Sequence, residues 1–353
     1  MKNLNETKQL DYKNVFIYPQ YSEITSRSEV DTSVVIREND WDSTKHFKVD
    51  VPVMSANMDT VTDAQMAIAM WNAGGIGAIH RFMSIEQNLR EWEAVKAEGC
   101  CAFVSVGVNS DSRERAAALY KAGARHFIID IAHGHSKMMK DMIKWIRSGC
   151  GLYAYIMAGN IATPEGALDL FSWGADAVKI GIGPGAVCTT KNVTGVTVPQ
   201  FSAIQNVCAP ENREKYSQVF RKDGYIDNHN GTFPILVADG GLQEFGDIAK
   251  ALGAGADLVM SGRLFAACRE APGPRINGRK VYRGMASVDA MLTIKEASVL
   301  PTPEGISTVL DTSEETVAQV VKHIKGGLQS SMSYSNSRTL KEFRSNVRFG
   351  VRA

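Results

Sequence analysis

The stretch GAGADLVMSG (residues 253–262) sets glycines directly after a helix-like segment and follows them with a short apolar run. Glycine is the usual left-handed stop of a helix, and an apolar run of this length is typical of a buried strand. The same pattern recurs in NAGGIGAIH (72–80), KAGARHFIID (121–130) and SWGADAVKIG (172–181). A helix, a stop and a strand repeated in this way predict successive βα units.

Four further apolar runs complete the pattern, namely VPVMSA (51–56), AFVSVG (102–107), YAYIMAG (153–159) and PILVADG (234–240). The eight runs are apolar on both faces, as strands covered by helices must be. Eight βα units in 353 residues predict an α/β fold, a closed (β/α)8 TIM barrel that forms a single domain over residues 1–353. A doubly wound open sheet is the alternative.

Some segments fall outside the repeat. We expect the residues before about position 50 to form an N-terminal cover, and a final helix over Glu314 to Gln329. Residues 210–231 are polar and charged, which predicts a surface insertion. Residues 286–310 follow the last strand, where a segment can fold over the barrel mouth as an active-site flap.

Composition limits the classes of function. A formal net charge of +1 gives no field that attracts nucleic acid or an anionic membrane. The chain lacks the run of about 18 apolar residues that a membrane span needs, and MKNLNETKQL at the N-terminus lacks the apolar core of a secretory signal. The cysteines, at positions 100, 101, 150, 188, 208 and 268, form no CxxC or Cys/His cluster. We therefore expect no metal site and a reduced, cytoplasmic compartment.

Polar residues gather where the predicted strands end. In a TIM barrel the C-terminal ends of the strands carry the chemistry. The side chains at these ends are Ser55, Asn57, Asp59, His80, Arg81, Asp130, His133, His135, Asn160 and Asp239, together with the loops 181–190 and 261–263. Their convergence predicts an active site at this end of the barrel. His133 and His135 have no evident third ligand, so a metal is not predicted there.

The loops after the last three strands are rich in glycine. Glycine lets backbone N–H groups approach an anion closely, and phosphate sites in barrels often use the last two strands. Gly240, Gly241, Gly262 and Arg263 are therefore candidates for a phosphate site, with tight turns as the alternative explanation of the glycines. Asp239 could accept hydrogen bonds from a ribose diol.

The segment KIGIGPGAVCTT (179–190) places Cys188 behind a loop that has almost no side chains. A buried cysteine usually acts as a small apolar residue. A cysteine on a glycine-rich loop at the catalytic end is instead exposed to backbone amides that favour the reactive thiolate. We predict that Cys188 is a nucleophile, with the Thr190 hydroxyl placed to hold a water or a leaving group.

This cysteine loop resembles that of IMP dehydrogenases and GMP reductases. The matching segments, in the family's order, are SANMDTVTDAQMAIAM (55–70), GGIGAIHRF (74–82), IDIAHGHS (129–136), AGNIATPEGA (158–167), VADGGLQEFGDIAKAL (237–252) and YRGMAS (282–287). The resemblance covers nearly the whole chain. It implies a (β/α)8 barrel, usually a homotetramer, that binds a purine nucleotide and a nicotinamide cofactor.

The resemblance also implies roles for individual residues. Cys188 would attack C2 of the purine and form a covalent thioether intermediate. The implied nucleotide contacts are Ser55, Asn160, Gly183, Gly185, Ala186, Asp239, Gly241, Gly262, Arg263, Tyr282, Gly284 and Met285, where Ala186 replaces a usual serine. Gly240 joins them as a candidate from the glycine-rich loops alone. The implied cofactor-binding residues are Asp130, Arg81, His133 and Gly181. NADPH would serve a reductase and NAD a dehydrogenase, with a monovalent cation such as potassium.

Two differences from the dehydrogenases favour the reductase branch. The chain has no CBS-domain insertion, and no arginine or tyrosine lies between Gly284 and Lys325. The dehydrogenase flap carries an Arg-Tyr pair whose arginine activates water, and hydrolysis without that base should be slow. IAHGHS, HRF and LQSSMSY (328–334) also resemble reductase segments. We therefore expect NADPH-dependent reductive deamination of GMP, or a related purine nucleotide, to IMP.

One departure from the reductases concerns a Thr-Glu pair that handles the proton on departing ammonia. Thr190 matches the threonine, but Val288 occupies the glutamate position and Asp289 follows it, which makes Asp289 the candidate catalytic carboxylate. Adjacent residues point in different directions, so the substitution is not equivalent. PEGIS (303–307) resembles the end of a dehydrogenase flap and supports the alternative of IMP oxidation to XMP with NAD. A catalytically weak nucleotide-binding regulatory protein is the third hypothesis.

Overall fold

The structure is a computed structural model that describes residues 9–37, 47–150, 154–222, 234–294 and 302–352. Eight parallel strands close into a barrel, so the predicted (β/α)8 architecture is confirmed and the open sheet is excluded. These strands are β4 (Val53–Ser55), β5 (Ile76–Ile79), β6 (Ala102–Val106), β7 (His126–Asp130), β8 (Tyr155–Ile161), β9 (Ala177–Ile180), β10 (Ile235–Asp239) and β11 (Leu258–Ser261). They follow one another in chain order around the barrel, and β11 pairs with β4 to close it.

Helices alternate with these strands and cover the barrel. They are α1 (Ala64–Asn72), α2 (Ile85–Ala97), α3 (Ser112–Lys121), α4 (Lys137–Cys150), α5 (Pro164–Trp173), α6 (Thr190–Thr194), α7 (Gln200–Val207), α8 (Pro210–Lys222), α9 (Phe245–Gly253), α10 (Arg263–Ala266), α11 (Val288–Ile294), α12 (Val317–Tyr334) and α13 (Leu340–Asn346). None of the helices within the described ranges is both long and apolar enough to span a membrane.

Local sequence explains where several helices begin and end. The Asp63 carboxylate accepts the N–H of Met66, and Ser84 forms a reciprocal capping box with Gln87 at the start of α2. Thr163 caps α5, whose first residue is proline. Gly174 ends α5 with a φ of 112°, the left-handed conformation that its place in the repeat predicted.

Apolar side chains fill the interior of the barrel and close one of its ends. Met54, Phe103 and Met157 lie fully buried inside it. The antiparallel pair β2 (Val34–Arg37) and β3 (Phe47–Val49) contributes Phe47, whose ring centroid lies 6.0 Å from that of Phe103. The bottom of the barrel is thus a packed core, which leaves the opposite end for the site.

The remaining strands join the two ends of the chain and build a small sheet beside the barrel mouth. β1 (Val15–Ile17) pairs with β15 (Phe349–Val351), and β12 (Arg275–Ile276), β13 (Arg279–Arg283) and β14 (Ser307–Leu310) form an antiparallel sheet. Two 3-10 turns, Tyr12–Asn14 and Arg27–Glu29, complete the N-terminal segment. Residues 304–306, which lead into β14 of this sheet, lie against the cysteine loop.

Two expectations outside the barrel differ from the structure. The first part of the expected insertion 210–231 is the helix α8, whose Tyr216 is buried with its ring centroid 5.2 Å from that of Phe171. An amphipathic helix explains why a charged stretch also holds buried residues. The final helix begins at Val317 and continues to Tyr334. Residues 223–231 of the expected insertion and 295–301 of the expected flap lie outside the described residues. The single-domain boundaries stay a prediction.

Candidate active site

Three side chains form a hydrogen-bonded chain at the end of β9. Cys188 Sγ lies 3.2 Å from Thr190 Oγ1, and the Thr190 hydroxyl donates to Glu304 Oε2 at 2.8 Å. A carboxylate therefore lies two hydrogen bonds from the thiol. This arrangement can carry a proton between Glu304 and a group that reacts at the sulfur.

Backbone pairing holds the three residues together. Cys188 forms an antiparallel bridge with Gly305, within which Thr189 N–H donates to the Glu304 carbonyl at 2.9 Å. Ile306 N–H donates to the Val187 carbonyl at 3.0 Å. The segment that leads into β14 is thus the partner of the cysteine loop, and it fixes where Glu304 lies.

Glycines permit this close approach. A Cβ atom on Gly284 would lie 2.8 Å from the Val187 carbonyl oxygen, and one on Gly305 would lie 3.0 Å from the backbone nitrogen of Ser287. Both distances are shorter than ordinary contacts, so any larger residue must displace the loop. Gly284, predicted as a nucleotide contact, is placed here beside the cysteine loop.

Sequence reasoning missed Glu304 and named Asp289 instead. Asp289 lies exposed in the first turn of α11, and Val288 next to it is also exposed. The carboxylate that accepts the Thr190 hydrogen bond comes from Glu304, 114 residues away along the chain. The available signal was PEGIS, which contains Glu304, but its partner could not be identified without the fold. A catalytic role for Asp289 stays a prediction.

A buried ammonium joins two of the predicted site carboxylates. Lys179 Nζ lies 2.5 Å from Asp130 Oδ1 and 3.0 Å from Asp239 Oδ2, and its side chain is 1% exposed. Asn160 Nδ2 donates to the same oxygen of Asp239 at 2.9 Å. The cluster spans β7, β8, β9 and β10, and it links the residue predicted for the ribose to the one predicted for the cofactor.

Electrostatics keep Asp130 and Lys179 ionised. Burial alone would raise the pKa of Asp130, but the Lys179 ammonium, with help from Arg81, outweighs burial and lowers it. Burial alone would lower the pKa of Lys179, but the two carboxylates outweigh burial and raise it. Lys179 was not among the predicted site residues, because a lysine inside a strand gives no sequence signal of its burial.

Two of the glycines predicted for a phosphate, Gly240 and Gly241, lie close to the loop that contains Gly183 and Gly185. Gly183, Gly240 and Gly241 all have positive φ, of 78°, 83° and 78°. A Cβ atom on Gly240 would lie 3.7 Å from Gly185 Cα, and one on Gly241 would lie 3.1 Å from Pro184 Cβ. The two loops therefore face each other with backbone on both sides, as a cradle for an anion requires. Gly181 lies beneath them, where a Cβ atom would be 2.3 Å from the Asp239 carbonyl.

The Tyr282 hydroxyl lies close to Gly262, in the loop after β11. A Cβ atom on Gly262 would lie 2.8 Å from the Tyr282 hydroxyl oxygen and 2.7 Å from Met58 Sδ. Burial raises the pKa of Tyr282 to about 12, so its hydroxyl stays protonated at neutral pH and can donate to an anion. Arg263, next to Gly262, and Ala186 are exposed.

Ser55 and Met285 lie beside this region with partners of their own. Ser55 is fully buried, and the Thr62 hydroxyl lies 2.9 Å from its Oγ. Met285 Sδ accepts the N–H of Asp59 at 3.4 Å, and the Asp59 carboxylate pairs with Arg283. Nucleotide contacts by Ser55 and Met285 stay predictions.

The predicted cofactor side of the mouth contains His80, Arg81 and His133. His80 is buried, and its Nδ1 accepts the N–H of Phe82 at 3.2 Å. Burial lowers the pKa of His80 to about 4, so the ring is neutral at pH 7. The Arg81 guanidinium lies 4.7 Å over the Phe82 ring, and its buried Nε has no acceptor among the described residues. His133 is exposed.

Within the described ranges, no group of three or more histidine, cysteine, aspartate or glutamate side chains is arranged to hold a metal ion. His135, which lies near His133 in sequence, instead has its Nε2 2.8 Å from Asp169 Oδ2. The site therefore consists of a thiol, a hydroxyl and carboxylates around glycine loops.

Comparison with known proteins finds one family over almost the whole chain. Residues 9–353 match the model described as "IMP dehydrogenase / GMP reductase domain". The chain is 34% identical to an inosine-5'-monophosphate dehydrogenase of Borreliella burgdorferi, over 99% of this chain and 95% of that protein. It is also 34% identical to a GMP reductase of Acidovorax sp. (strain JS42), over 95% of this chain and 93% of that protein.

A solved structure also matches nearly the whole chain. The crystal structure of GMP reductase C318A from Trypanosoma brucei in complex with guanosine 5'-monophosphate matches with a TM-score of 0.83 and 28% identity. The match covers 99% of this chain and 96% of that one. The relatives thus include proteins of both names.

Proposed function

Because the chain belongs to the IMP dehydrogenase/GMP reductase family, an oxidoreductase family that acts on purine nucleotides, we propose that it is an NADPH-dependent GMP reductase. It replaces the 2-amino group of GMP, or of a related purine nucleotide, with hydrogen, giving IMP and ammonia. The observation that carries the proposal is the pair of hydrogen bonds that runs from Cys188 through Thr190 to Glu304. It supplies the carboxylate that the sequence lacked at position 288.

The first chemical step uses all three residues. The Cys188 thiolate bonds to C2 of the purine, and the C2–N bond breaks with its electron pair on nitrogen. The departing nitrogen needs a proton, which the Glu304 carboxyl group delivers through the Thr190 hydroxyl, so that ammonia leaves. The product of this step is a purine joined to Cys188 by a thioether bond.

The second step regenerates the Cys188 thiolate. When bound, the nicotinamide cofactor supplies a hydride to C2. The C2–S bond then breaks, its electron pair returns to Cys188, and IMP is released. The antiparallel bridge between Cys188 and Gly305 positions the backbone that carries the sulfur for both steps.

The nucleotide fits the glycine loops and the carboxylate cluster. The facing backbones of Gly183 to Gly185 and Gly240 to Gly241 suit a 5'-phosphate, with Tyr282 as a neutral donor beside them. Asp239 Oδ2 accepts hydrogen bonds from Lys179 and Asn160. These bonds fix the carboxylate in an orientation that suits a ribose hydroxyl. Asn160, Ser55, Ala186, Gly262, Arg263, Gly284 and Met285 stay proposed contacts.

The cofactor fits the side of the mouth next to this cluster. Arg81 has a buried Nε with no acceptor among the described residues, and an anionic group of the cofactor would satisfy it. Asp130, held ionised by Lys179, would lie at the nicotinamide end, with Gly181 and His133 nearby in the proposal. No step depends on a monovalent cation, and the potassium expectation stays a prediction. A cytoplasmic location and a homotetramer are part of the proposal.

The second candidate is an IMP dehydrogenase-like enzyme. Glu304 belongs to PEGIS, and the same hydrogen-bonded chain could take a proton from a water that attacks the thioether-bound purine. NAD would accept the hydride of IMP in that direction, and XMP would be the product. The absence of arginine and tyrosine between Gly284 and Lys325 favours the reductase.

The test compares the two directions on the purified protein. GMP with NADPH should lower the absorbance near 340 nm and release ammonia and IMP, identified by chromatography. IMP with NAD should give no comparable rise. The reverse pattern would establish the dehydrogenase. Cys188→Ala should abolish turnover while GMP still raises the melting temperature, and Cys101→Ala, at a partly exposed thiol away from the site, should retain turnover. Full activity of Cys188→Ala would rule out the covalent mechanism.

A further inference from the structure

Lys280, on β13, is a buried cation that neither chemical step uses. Only 2% of the residue is exposed. Its Nζ donates to the carbonyls of Cys268 and Ala271, each at 2.5 Å, and to that of Arg269 at 3.3 Å. A lysine ammonium has three N–H donors and no acceptor, so three carbonyls match its full capacity. Lys280 therefore joins β13 to the loop of residues 268–271.

Backbone hydrogen bonds connect this loop to Gly262, one of the glycines proposed to contact the nucleotide. Phe265 N–H donates to the Gly262 carbonyl at 3.2 Å. Cys268 N–H in turn donates to the Phe265 carbonyl at 3.0 Å, and Ala271 N–H donates to the Cys268 carbonyl at 3.1 Å. Phe265 is also fully buried, which anchors the middle of the segment. Residues 262–271 thus form one connected unit, and holding its far end at Lys280 restricts the position of Gly262.

The other end of this segment meets Tyr282, which lies two residues after Lys280 on β13. Side chains two residues apart in a strand lie on the same face, and both of these side chains are buried. A Cβ atom on Gly262 would lie 2.8 Å from the Tyr282 hydroxyl oxygen. The distance between that hydroxyl and the Gly262 backbone therefore depends on how Lys280 holds β13.

We propose that Lys280 is a positioning residue for nucleotide binding, which sets the Tyr282 hydroxyl beside Gly262 so that both meet the 5'-phosphate. Lys280 does not contact the nucleotide, because its donors are used on the three carbonyls. The inference rests on the proposed function, since it assumes that a purine 5'-nucleotide binds at these loops. A misplaced donor to a charged group costs about tenfold or more in affinity.

The experiment measures the binding of GMP and of guanosine by isothermal titration calorimetry, in Cys188→Ala protein so that no thioether forms. Lys280→Met should weaken GMP binding about tenfold and guanosine binding less than about twofold, because only GMP carries the phosphate. Lys280→Gln keeps two N–H donors for the carbonyls and should show a smaller loss. Arg279→Met, which breaks an exposed ion pair with Asp311 on the same strand, is the matched control and should change neither.

A double-mutant cycle tests whether Lys280 acts through Tyr282. Tyr282→Phe alone should weaken GMP binding by a similar factor, and adding Lys280→Met to it should cause little further loss. If Lys280 only stabilised the fold, the two losses would multiply, or GMP and guanosine would weaken equally. Should Lys280→Met fail to fold, Lys280→Gln completes the same cycle.

Two results would overturn the assignment of Lys280. They are an unchanged ratio of GMP to guanosine affinity in the Lys280 variants, and losses that multiply in the cycle. Turnover of GMP with NADPH by the protein with Cys188 intact separates this failure from that of the proposed function. If turnover is normal but the affinity ratio does not move, only the role of Lys280 falls. If GMP is neither bound nor turned over, both fall.

Discussion

Thr190 Oγ1 lies 2.8 Å from Glu304 Oε2, although the two residues are 114 positions apart in the sequence. The carboxylate reaches the cysteine loop because Gly305, its neighbour, pairs with Cys188. The carboxylate that meets Thr190 therefore comes from a different segment than Val288 and Asp289, where the sequence predicted it.

Glu304→Gln tests this relationship directly. The amide keeps the shape and can still accept from Thr190, but it cannot exchange a proton, so kcat should fall by about 100-fold or more. KM for the nucleotide should change little, because the substitution leaves the glycine loops intact. Steady-state rates with GMP and NADPH give both constants. Asp289→Asn is the matched control, and a large loss there with a normal Glu304→Gln rate would assign the role to Asp289 instead.

Gly284→Ala should displace the cysteine loop. The added methyl group would lie 2.8 Å from the Val187 carbonyl and would push the loop away from its β-bridge. Small misplacements of a reacting group are costly, so kcat should fall about 10- to 100-fold. Gly326→Ala in α12 meets nothing within 4 Å and should keep normal rates, with a stability gain of up to about 1 kcal/mol. An unchanged kcat in Gly284→Ala would show that the loop tolerates the displacement.

Lys179→Met removes the ammonium that neutralises two carboxylates. The free energy of unfolding should fall by about 3 kcal/mol at pH 8, because Asp130 and Asp239 would lose their shared counterion. Burial would then raise the pKa of Asp130, so the loss should shrink as the pH falls and the carboxyl group takes up a proton. Urea unfolding at several pH values measures both effects. Lys137→Met, which breaks the exposed pair with Asp141, should leave the free energy of unfolding nearly unchanged.

His80 should make stability depend on pH below neutrality. Its pKa is about 4 in the folded protein and about 6.5 when unfolded, so between these values the unfolded chain binds a proton that the native state does not. Stability should therefore fall as the pH drops from about 6.5 to 4, by up to about 3 kcal/mol, and this contribution should level off below pH 4. Urea unfolding of His80→Gln should show a flatter profile in that window. Parallel profiles for the two proteins would mean that His80 titrates normally.

Much of the fold was predictable from local pattern. The helix, the stop and the strand are each encoded within about ten residues, and all eight strands and the barrel followed from their repetition. The helix in 210–222 was missed because charged residues dominate its exposed side and conceal the buried Tyr216. Length and charge alone cannot separate such a helix from a surface loop.

The sequence by itself determined the barrel, the cysteine loop and the end of the barrel at which polar residues gather, because these depend on residues that are close along the chain. Only the tertiary structure decided that Glu304 is the partner of Thr190, and that Lys179 joins Asp130 to Asp239. These pairs are separated by 114, 49 and 60 residues. Closure of the barrel and pairing of Gly305 with Cys188 bring these residues together. Residue spacing and composition do not encode that geometry.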